Sequence, residues 1–314
     1  MLAAIGTSHA KTILLGEHAV VYGEPAIAIP ISTIRLRAEI TPQPGGQQTV
    51  TSAFYNGALA AAAHTNFAGV ATLIRQLLVT FDAQDQGFNL NIISDLPPER
   101  GMGSSAATAV AIVRAFYNAF ATDLPHAVLL RWADVSERQI HGNPSGIDAA
   151  TVSATRPQWL IRGNQPQNLA MPKNGVLVIA DTGVQGQTKL AVQAVAARYH
   201  ADVQARQEIA RIGVVTRQAA VAMAENDLVT LGRCMNSDQQ NLVALGVSTP
   251  QIDAMVQAGL KADALGVKLT GSGMGGCVIA LTPDGATAQK VAAAMARAGA
   301  IQIWQHDFST AEAD

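Results

Sequence analysis

The sequence has few charged residues and no excess of either sign. Of its 314 residues, 21 are Lys or Arg and 23 are Asp or Glu, so 14% of the chain is charged and the formal net charge is -2. Proteins that bind nucleic acid usually concentrate Lys and Arg on one face, and no basic run in this chain supplies such a surface. Hydrophobic residues make up 49%, which gives ample apolar surface to bury. The composition therefore excludes a disordered chain and does not favour a nucleic-acid partner.

Long apolar runs and cysteines are also scarce. Purely apolar runs such as 109–113 and 176–180 are far shorter than the ~18 residues that cross a bilayer. The first basic residue is Lys11, so the N-terminus lacks the charged region that opens a secretory signal. Cys234 and Cys277 form neither a disulfide framework nor a metal-ligand spacing, and we expect both to be reduced and buried. These absences predict a cytoplasmic protein without a membrane span.

Length and hydrophobic periodicity predict two domains, each built from both strands and helices. Strands and helices alternate, but without the uniform rhythm of a doubly wound sheet, and a polar stretch at 163–172 marks a boundary near Met171. We therefore expect an N-terminal domain over residues 1–171 and a C-terminal domain over 172–314. Predicted strands lie at 11–15, 26–31, 34–40, 88–92, 176–180, 267–270, 277–281 and 301–304. One or two helices are predicted over 57–80, with an interruption near Asn66 and Gly69, and further helices at 108–120, 125–141, 188–211, 213–225, 250–265 and 286–298.

The segment PPERGMGSSAA, residues 97–107, lies between a predicted strand and a predicted helix. Its two glycines allow close approach of a ligand to the backbone, and the N–H groups that open a helix favour an anion such as a phosphate. A glycine-rich turn with Ser104 or Ser105 as the helix N-cap fits the same letters. So does a dinucleotide fingerprint with Asp123 as its acidic residue, but LPPER separates the strand from the glycines, which disfavours it.

A second glycine-rich segment, TGSGMGGC at 270–277, connects two predicted strands. Four glycines in six residues exceed what a turn needs. They indicate close backbone approach to a ligand or to the glycine-rich segment at 97–107, which we call the first glycine loop, with a plain turn as the alternative.

Two further segments carry candidate charged groups. EHAVVYG follows Lys11, and HGNPSGIDAA contains Asp148, with Glu137 eleven residues upstream of that carboxylate. Taken singly, each group has an ordinary structural interpretation: a lysine whose stem lies along a sheet edge, solvated residues at a strand end, a helix cap and an exposed glutamate.

Together, in this order over residues 9–277, the segments resemble the motif set of the GHMP kinase superfamily, and within it the mevalonate kinase family. GEHAVVYG and HGNPSGID distinguish that family from galactokinases and homoserine kinases, which share only the glycine loops. The resemblance implies a two-domain fold of the α+β class: an N-terminal domain like the second domain of ribosomal protein S5 and a ferredoxin-like α+β C-terminal domain, with the active site in the cleft between them.

The resemblance also implies cofactors, substrate and roles: ATP, Mg²⁺ and phosphorylation of the 5-hydroxyl of mevalonate to 5-phosphomevalonate. Asp148 is then the general base, and Lys11, close to it in such a site, stabilises the alkoxide and keeps the base ionised. Ser105, with Ser104 as an alternative, and Glu137 are the metal ligands. The residues expected at the ATP phosphates are Pro98, Glu99, Arg100, Gly101, Met102, Gly103, Ser104, Ser105, Ala106, Ala107 and Thr108, and those expected near the acceptor are Glu17, His18, Thr188, Gly271, Ser272 and Gly273.

The chain departs from the superfamily pattern at a few positions. His9 and Ala10 stand where many members have Pro-Gly, Met102 replaces a leucine, and Ser272 and Met274 vary in the last motif. None of these changes removes a group that the chemistry needs. A kinase of phosphomevalonate or another small alcohol stays open, although no surplus of Lys or Arg marks a phosphorylated acceptor. A non-catalytic sensor on the same fold is a further alternative, and a homodimer is what the relatives suggest.

Overall fold

The computed structural model describes the backbone of residues 1–97, 100–141 and 146–310, and the side chains of these except 136–141. The chain forms two compact units that interleave along the sequence. The first takes residues 1–10, 34–97 and 103–153, and the second takes the remainder. The domain boundary predicted near Met171 remains a prediction.

The first unit combines strands of mixed direction with helices. The C-terminal part of strand β2 pairs antiparallel with β5, which pairs parallel with β3, and β3 pairs antiparallel with β4. The unit contains part of β1 (Ala4–Leu15) and of β2 (Ala26–Gln43), together with β3 (Gln48–Thr51), β4 (Asn56–Ala58), α1 (Leu59–Ala62), α2 (Ala68–Thr80), β5 (Gly87–Ser94), α3 (Ser104–Ala119), α4 (His126–His141) and α5 (Ile147–Val152).

Helix α3 packs closely on β1, and a glycine makes that approach possible. A β-carbon on Gly6 would lie 2.1 Å from the Ala111 carbonyl oxygen, so no larger side chain fits there. The Ser8 hydroxyl donates a 2.7 Å hydrogen bond to the Ala107 carbonyl, in the first turns of the helix. The N-terminal end of α3 is therefore fixed against β1 by both packing and hydrogen bonding.

The second unit is built on an antiparallel sheet in the order β11-β8-β10-β9. Every residue of β8, β9 and β10 is buried, and alternate residues of these strands share one core with α6, α7, α9 and α10. Its elements are β6 (Gln158–Leu160), β7 (Gln167–Asn168), β8 (Val176–Asp181), α6 (Thr188–Ala201), α7 (Val203–Ala224), α8 (Leu228–Ala244), α9 (Pro250–Lys261), β9 (Gly266–Thr270), β10 (Cys277–Thr282), α10 (Gly285–Arg297) and β11 (Gln302–Asp307), with residues 11–33 of β1, β2 and the turn between them.

Several predicted elements differ from the observed ones for local reasons. The two strands predicted over 26–40 form the single strand β2, because Pro30 is compatible with extended backbone. The helix predicted over 188–211 breaks at Asp202, whose carboxylate accepts a 2.8 Å hydrogen bond from the Gln204 N–H and caps α7. The break predicted between residues 211 and 213 is absent, because α7 continues through Gly213. The glycine there makes room for Glu24, since a β-carbon at this position would lie 1.9 Å from Glu24 Oε2. Helix α8 was not predicted at all.

Both cysteines are buried free thiols, as predicted. Within the described ranges, none of the helices combines the length and the apolar character that crossing a bilayer requires.

Candidate functional site

The first glycine loop leads into α3 through two residues in the left-handed region. Gly101 and Gly103 have φ values of 77° and 76°, and Gly103 is the N-cap of the helix. The interpretation of a serine as N-cap is therefore wrong: Ser104 is the first helical residue, and no side chain caps the helix. Ser104, Ser105 and Thr108 are half-buried in the first turns. Loop residues Pro98 and Glu99 lie outside the described residues.

Lys11 is buried and contacts this loop. It is 2% exposed, its ammonium donates a 3.0 Å hydrogen bond to the Gly101 carbonyl, and its backbone N–H donates to the Met102 carbonyl at 3.0 Å. The sheet-edge interpretation of this lysine is therefore wrong. A buried cation beside a glycine loop is instead suited to balance negative charge on a ligand.

The second glycine loop, residues 271–276 between β9 and β10, approaches the first one. A β-carbon on Gly271 would lie 3.3 Å from the Gly101 Cα, and one on Gly276 would lie 3.0 Å from the Arg100 carbonyl oxygen. The Thr12 and Thr270 hydroxyls are joined by a 2.9 Å hydrogen bond at the start of the loop. The close approach to the first glycine loop that the sequence predicted is thus confirmed.

Arg100, in the first glycine loop, binds residues at the end of strand β8. Its Nε lies 3.0 Å from Oδ2 and 2.9 Å from Oδ1 of Asp181, and its Nη2 donates to the Gly183 carbonyl at 3.2 Å. The Asp181 carboxylate is 2% exposed and also accepts a 2.8 Å hydrogen bond from the Gly183 N–H. A buried, charge-assisted pair of this kind holds the loop backbone in a defined position.

Glu17 and His18 lie in the turn after β1 and are 1% and 7% exposed, so the interpretation of solvated strand-end residues is wrong. His18 has a φ of 59°, and its Nε2 donates a 2.9 Å hydrogen bond to the Ser272 carbonyl in the second glycine loop. Burial lowers the pKa of His18, which favours the neutral imidazole. The Ser272 hydroxyl in turn lies 3.1 Å from that of Thr188, the first residue of α6. Four of the predicted acceptor-site residues are therefore linked by direct contacts or by adjacency in the chain.

The remaining predicted site residues belong to the first unit. Asp148 is half-buried in the first turn of α5, directly after Gly146, whose φ of 73° starts that helix. Glu137 lies on α4, but its side chain falls outside the described residues.

Three buried charged residues near these segments were not predicted as site residues: Lys268, Asp238 and Asp181. Lys268 and Asp238 are each 0% exposed, and the Lys268 ammonium contacts the Glu17 carboxylate. Lys268 lies between the apolar residues Val267 and Leu269 in a predicted strand, the same signal that drew attention to Lys11. Asp238 carries no such signal, because α8 itself was missed. Asp181 ends an apolar strand just before Gly183, and a carboxylate at such a strand end is a sequence feature from which a site residue could have been predicted.

Models of two protein families match stretches of the chain. The GHMP kinases N terminal domain matches residues 66–155, and the GHMP kinases C terminal domain matches residues 219–301.

Individual relatives extend the similarity over nearly the whole chain. The mevalonate kinase of Aeropyrum pernix is 32% identical over 295 residues, covering 90% of each chain. The mevalonate kinase of Thermococcus sibiricus is 33% identical over 321 residues, covering 94% of this chain and 95% of its own. The crystal structure of L. major mevalonate kinase in complex with R-mevalonate superimposes with a TM-score of 0.82 and 26% identity, covering 98% of this chain and 95% of that one. The chain therefore belongs to the mevalonate kinase family of GHMP kinase phosphotransferases and has their α+β fold, as its four motifs predicted.

Proposed function

We propose that the chain transfers the γ-phosphoryl group of ATP to the primary 5-hydroxyl of mevalonate, with Mg²⁺, and releases 5-phosphomevalonate and ADP. The observation that carries the proposal is the contact between the two glycine loops beside buried Lys11. It occurs in a chain similar over 98% of its length to a solved mevalonate kinase that holds R-mevalonate. The cytoplasmic location and the homodimer remain predictions.

The start of α3 suits the phosphates of ATP. Gly103 caps the helix without a side-chain hydrogen bond, so the N–H groups of the first turn face an approaching anion without competition from a capping side chain. The left-handed glycines let that anion approach the backbone closely. We assign residues 98–108 to this role.

The metal ligands of the proposal are hard oxygen donors. Ser105 offers a hydroxyl in the first turn of α3, and Glu137 offers a carboxylate on α4. Such ligands suit Mg²⁺, which binds proteins through few side chains together with substrate phosphates. When bound, Mg²⁺ supplies charge neutralisation to the phosphates.

Two residues of the chain handle the proton and the developing charge. Asp148 accepts the proton of the 5-hydroxyl as its oxygen attacks the γ-phosphorus, and the Lys11 ammonium stabilises the negative charge on that oxygen. Phosphoryl transfer depends mainly on positioning and electrostatics, so a fixed, buried cation is effective there. The hydrogen bond from Lys11 to the Gly101 carbonyl supports this role, because it fixes the direction of the ammonium.

We assign the acceptor site to the turn after β1 and the second glycine loop. Glu17, His18, Thr188 and residues 271–273 bind mevalonate in this proposal. The hydrogen bonds that join His18 and Thr188 to Ser272 support the assignment, since they hold these residues in one arrangement before substrate arrives.

The pair between Arg100 and Asp181 provides a test of the ATP site. Replacing Asp181 by Asn weakens a charge-assisted hydrogen bond, and we expect the KM for ATP to rise about tenfold with a smaller change in kcat. A double-mutant cycle with Arg100→Met isolates the contact. The two changes together are expected to cost little more than Arg100→Met alone. A KM for ATP that is unchanged in a folded Asp181→Asn protein would show that this pair does not position the loop.

The proposed function is tested by measuring Mg²⁺-dependent ADP release with mevalonate, phosphomevalonate, homoserine and galactose as separate acceptors. We expect turnover with mevalonate alone. Turnover with another acceptor would keep the kinase chemistry and reject the substrate. ATP binding without ADP release from any of the four acceptors would favour a non-catalytic sensor.

A further inference from the structure

Three charged groups are enclosed together in the second unit. The Lys268 ammonium on β9 contacts the Glu17 carboxylate, lies 3.4 Å from Asp238 Oδ2 on α8, and donates a 2.7 Å hydrogen bond to the Leu269 carbonyl. The side chains of Lys268, Glu17 and Asp238 are 0%, 1% and 0% exposed. We call these three residues the buried triad.

The buried triad contains two carboxyl groups and one ammonium group. A buried charge that lacks a partner costs several kcal/mol, so the neutral arrangement, with one proton shared by the carboxyl groups, is favoured. Burial raises the pKa of both carboxyls, that of Glu17 to about 8, and the Lys268 charge lowers both pKa values against this effect. In the described part of the chain, Glu17 Oε2 and both Asp238 carboxylate oxygens are buried without a hydrogen-bond partner, so either carboxyl has an oxygen that can carry the proton.

Other titratable groups also face the triad. His18 follows Glu17, and its pKa is lowered mainly by burial and further by the Lys268 charge. Cys234, one turn before Asp238 on α8, has a pKa raised first by burial and then by the Asp238 charge. Neither group supplies a charge that balances the second carboxyl at neutral pH, because both are held in their neutral forms.

The buried triad joins two segments of the proposed acceptor site. Glu17 immediately precedes His18, which is held with φ at 59° and donates to the Ser272 carbonyl. Lys268 lies two residues before Thr270, from which the second glycine loop departs. The triad therefore connects the turn after β1 to the strand that carries the glycine loop, at a point where the His18 backbone needs support.

We infer that Lys268 and Asp238 are positioning residues, and that the buried triad, in its protonated and neutral form, holds the Glu17–His18 turn in the geometry that binds the acceptor. The role of the triad in binding mevalonate rests on the proposed function, whereas the protonation of the triad does not depend on it. Loss of the shared proton leaves an uncompensated charge in the interior. The turn then loses its position, and the affinity for the acceptor falls in proportion to the fraction of molecules that keep the turn in its binding geometry.

The variant that tests this inference is Asp238→Asn, which removes one carboxyl at nearly constant shape. Glu17 and Lys268 then form a neutral pair without an added proton. From pH 7 to pH 9 we expect the wild-type KM for mevalonate to rise about tenfold more than that of Asp238→Asn, since a group with a pKa of about 8 is largely deprotonated at pH 9. The KM for ATP should show no such difference. Asp263→Asn, an exposed substitution with φ at 68°, is the control and should follow the wild type.

The pH dependence of thermal stability tests the protonation of the triad without an activity assay. The folded-state pKa of Glu17 is raised above its ordinary value of 4.5 to about 8, so its bound proton stabilises the folded wild type at low pH, and this contribution is lost as the pH rises to 8. The Tm of Asp238→Asn relative to the wild type should therefore increase steadily between pH 5 and pH 8, whereas that of Asp263→Asn should stay level.

The outcomes separate the two proposals. A difference in Tm that does not change with pH would overturn the shared proton, and parallel KM profiles would overturn the positioning role. If the wild type shows the Tm trend but does not phosphorylate mevalonate, the proposed function fails while the protonation stands, and the KM comparison is made with the acceptor that the enzyme uses. If no acceptor is turned over, the positioning role fails with the function.

Discussion

Replacing Asp148 by Asn should lower kcat with mevalonate by ~10²- to 10⁴-fold, the usual contribution of a positioned general base. The amide keeps the size of the side chain and its place in the first turn of α5, but it has no basic oxygen that takes up the hydroxyl proton. Because the loss falls on the chemical step, we expect the KM for ATP to change little. The measurement is steady-state ADP release, with thermal unfolding to show that the fold is kept.

Asp123→Asn is the matched control for this substitution. Asp123 is an exposed carboxylate of the same unit, in the segment between α3 and α4, and its replacement should leave kcat unchanged. Near-normal turnover of a folded Asp148→Asn protein would reject Asp148 as the base. The other components of the site would then have to be reassigned around a different proton acceptor.

Replacing Lys11 by Met should lower kcat by about 10²- to 10³-fold, comparable to the removal of one preorganised donor from a charged transition state. Methionine fills a similar space in β1 without the cation, so the 3.0 Å hydrogen bond to the Gly101 carbonyl is lost as well. We expect a smaller effect on the KM for mevalonate than on kcat, because the charge on the attacking oxygen develops only in the transition state.

Lys189→Met controls for the general loss of a positive charge. Lys189 is exposed on α6, and its replacement should leave turnover within about twofold of the wild type, as surface changes usually do. If Lys11→Met lowers kcat no more than Lys189→Met does, Lys11 has no catalytic role. If Lys11→Met raises only the KM for ATP, its role is confined to holding the first glycine loop through Gly101.

The parts of the site that could be predicted from sequence are those with local causes. Gly101, Gly103 and Gly271 adopt left-handed backbone, which favours glycine at each position whatever surrounds it. The clustering of glycines therefore predicts, from sequence alone, two loops whose backbone allows close approach of another group. The start of α3 followed from the unbroken helical stretch after the first loop, although the capping residue proved to be glycine and not serine.

The parts that could not be predicted depend on distant packing. Nothing near Glu17 in the sequence shows that Lys268, 251 residues away, encloses it, or that α8 brings Asp238 to the same place. The burial of Lys11 likewise follows from the loop that covers it and not from the pattern of β1. The helix boundary at Asp202 has a local cause, because an N-cap residue starts α7 there; the long helical pattern over 188–211 concealed it.

The most direct test of the proposed reaction is the position of the phosphate in its product. A ³¹P NMR spectrum of the products from ATP, Mg²⁺ and mevalonate should show, besides ADP, one new phosphate monoester whose signal is split into a triplet by the two protons on C5. Its amount should equal the ADP released. A singlet would place the phosphate on the tertiary hydroxyl or the carboxylate, and ADP accompanied only by inorganic phosphate would mean that water is the acceptor. Either result would contradict the proposal that this chain phosphorylates the 5-hydroxyl of mevalonate.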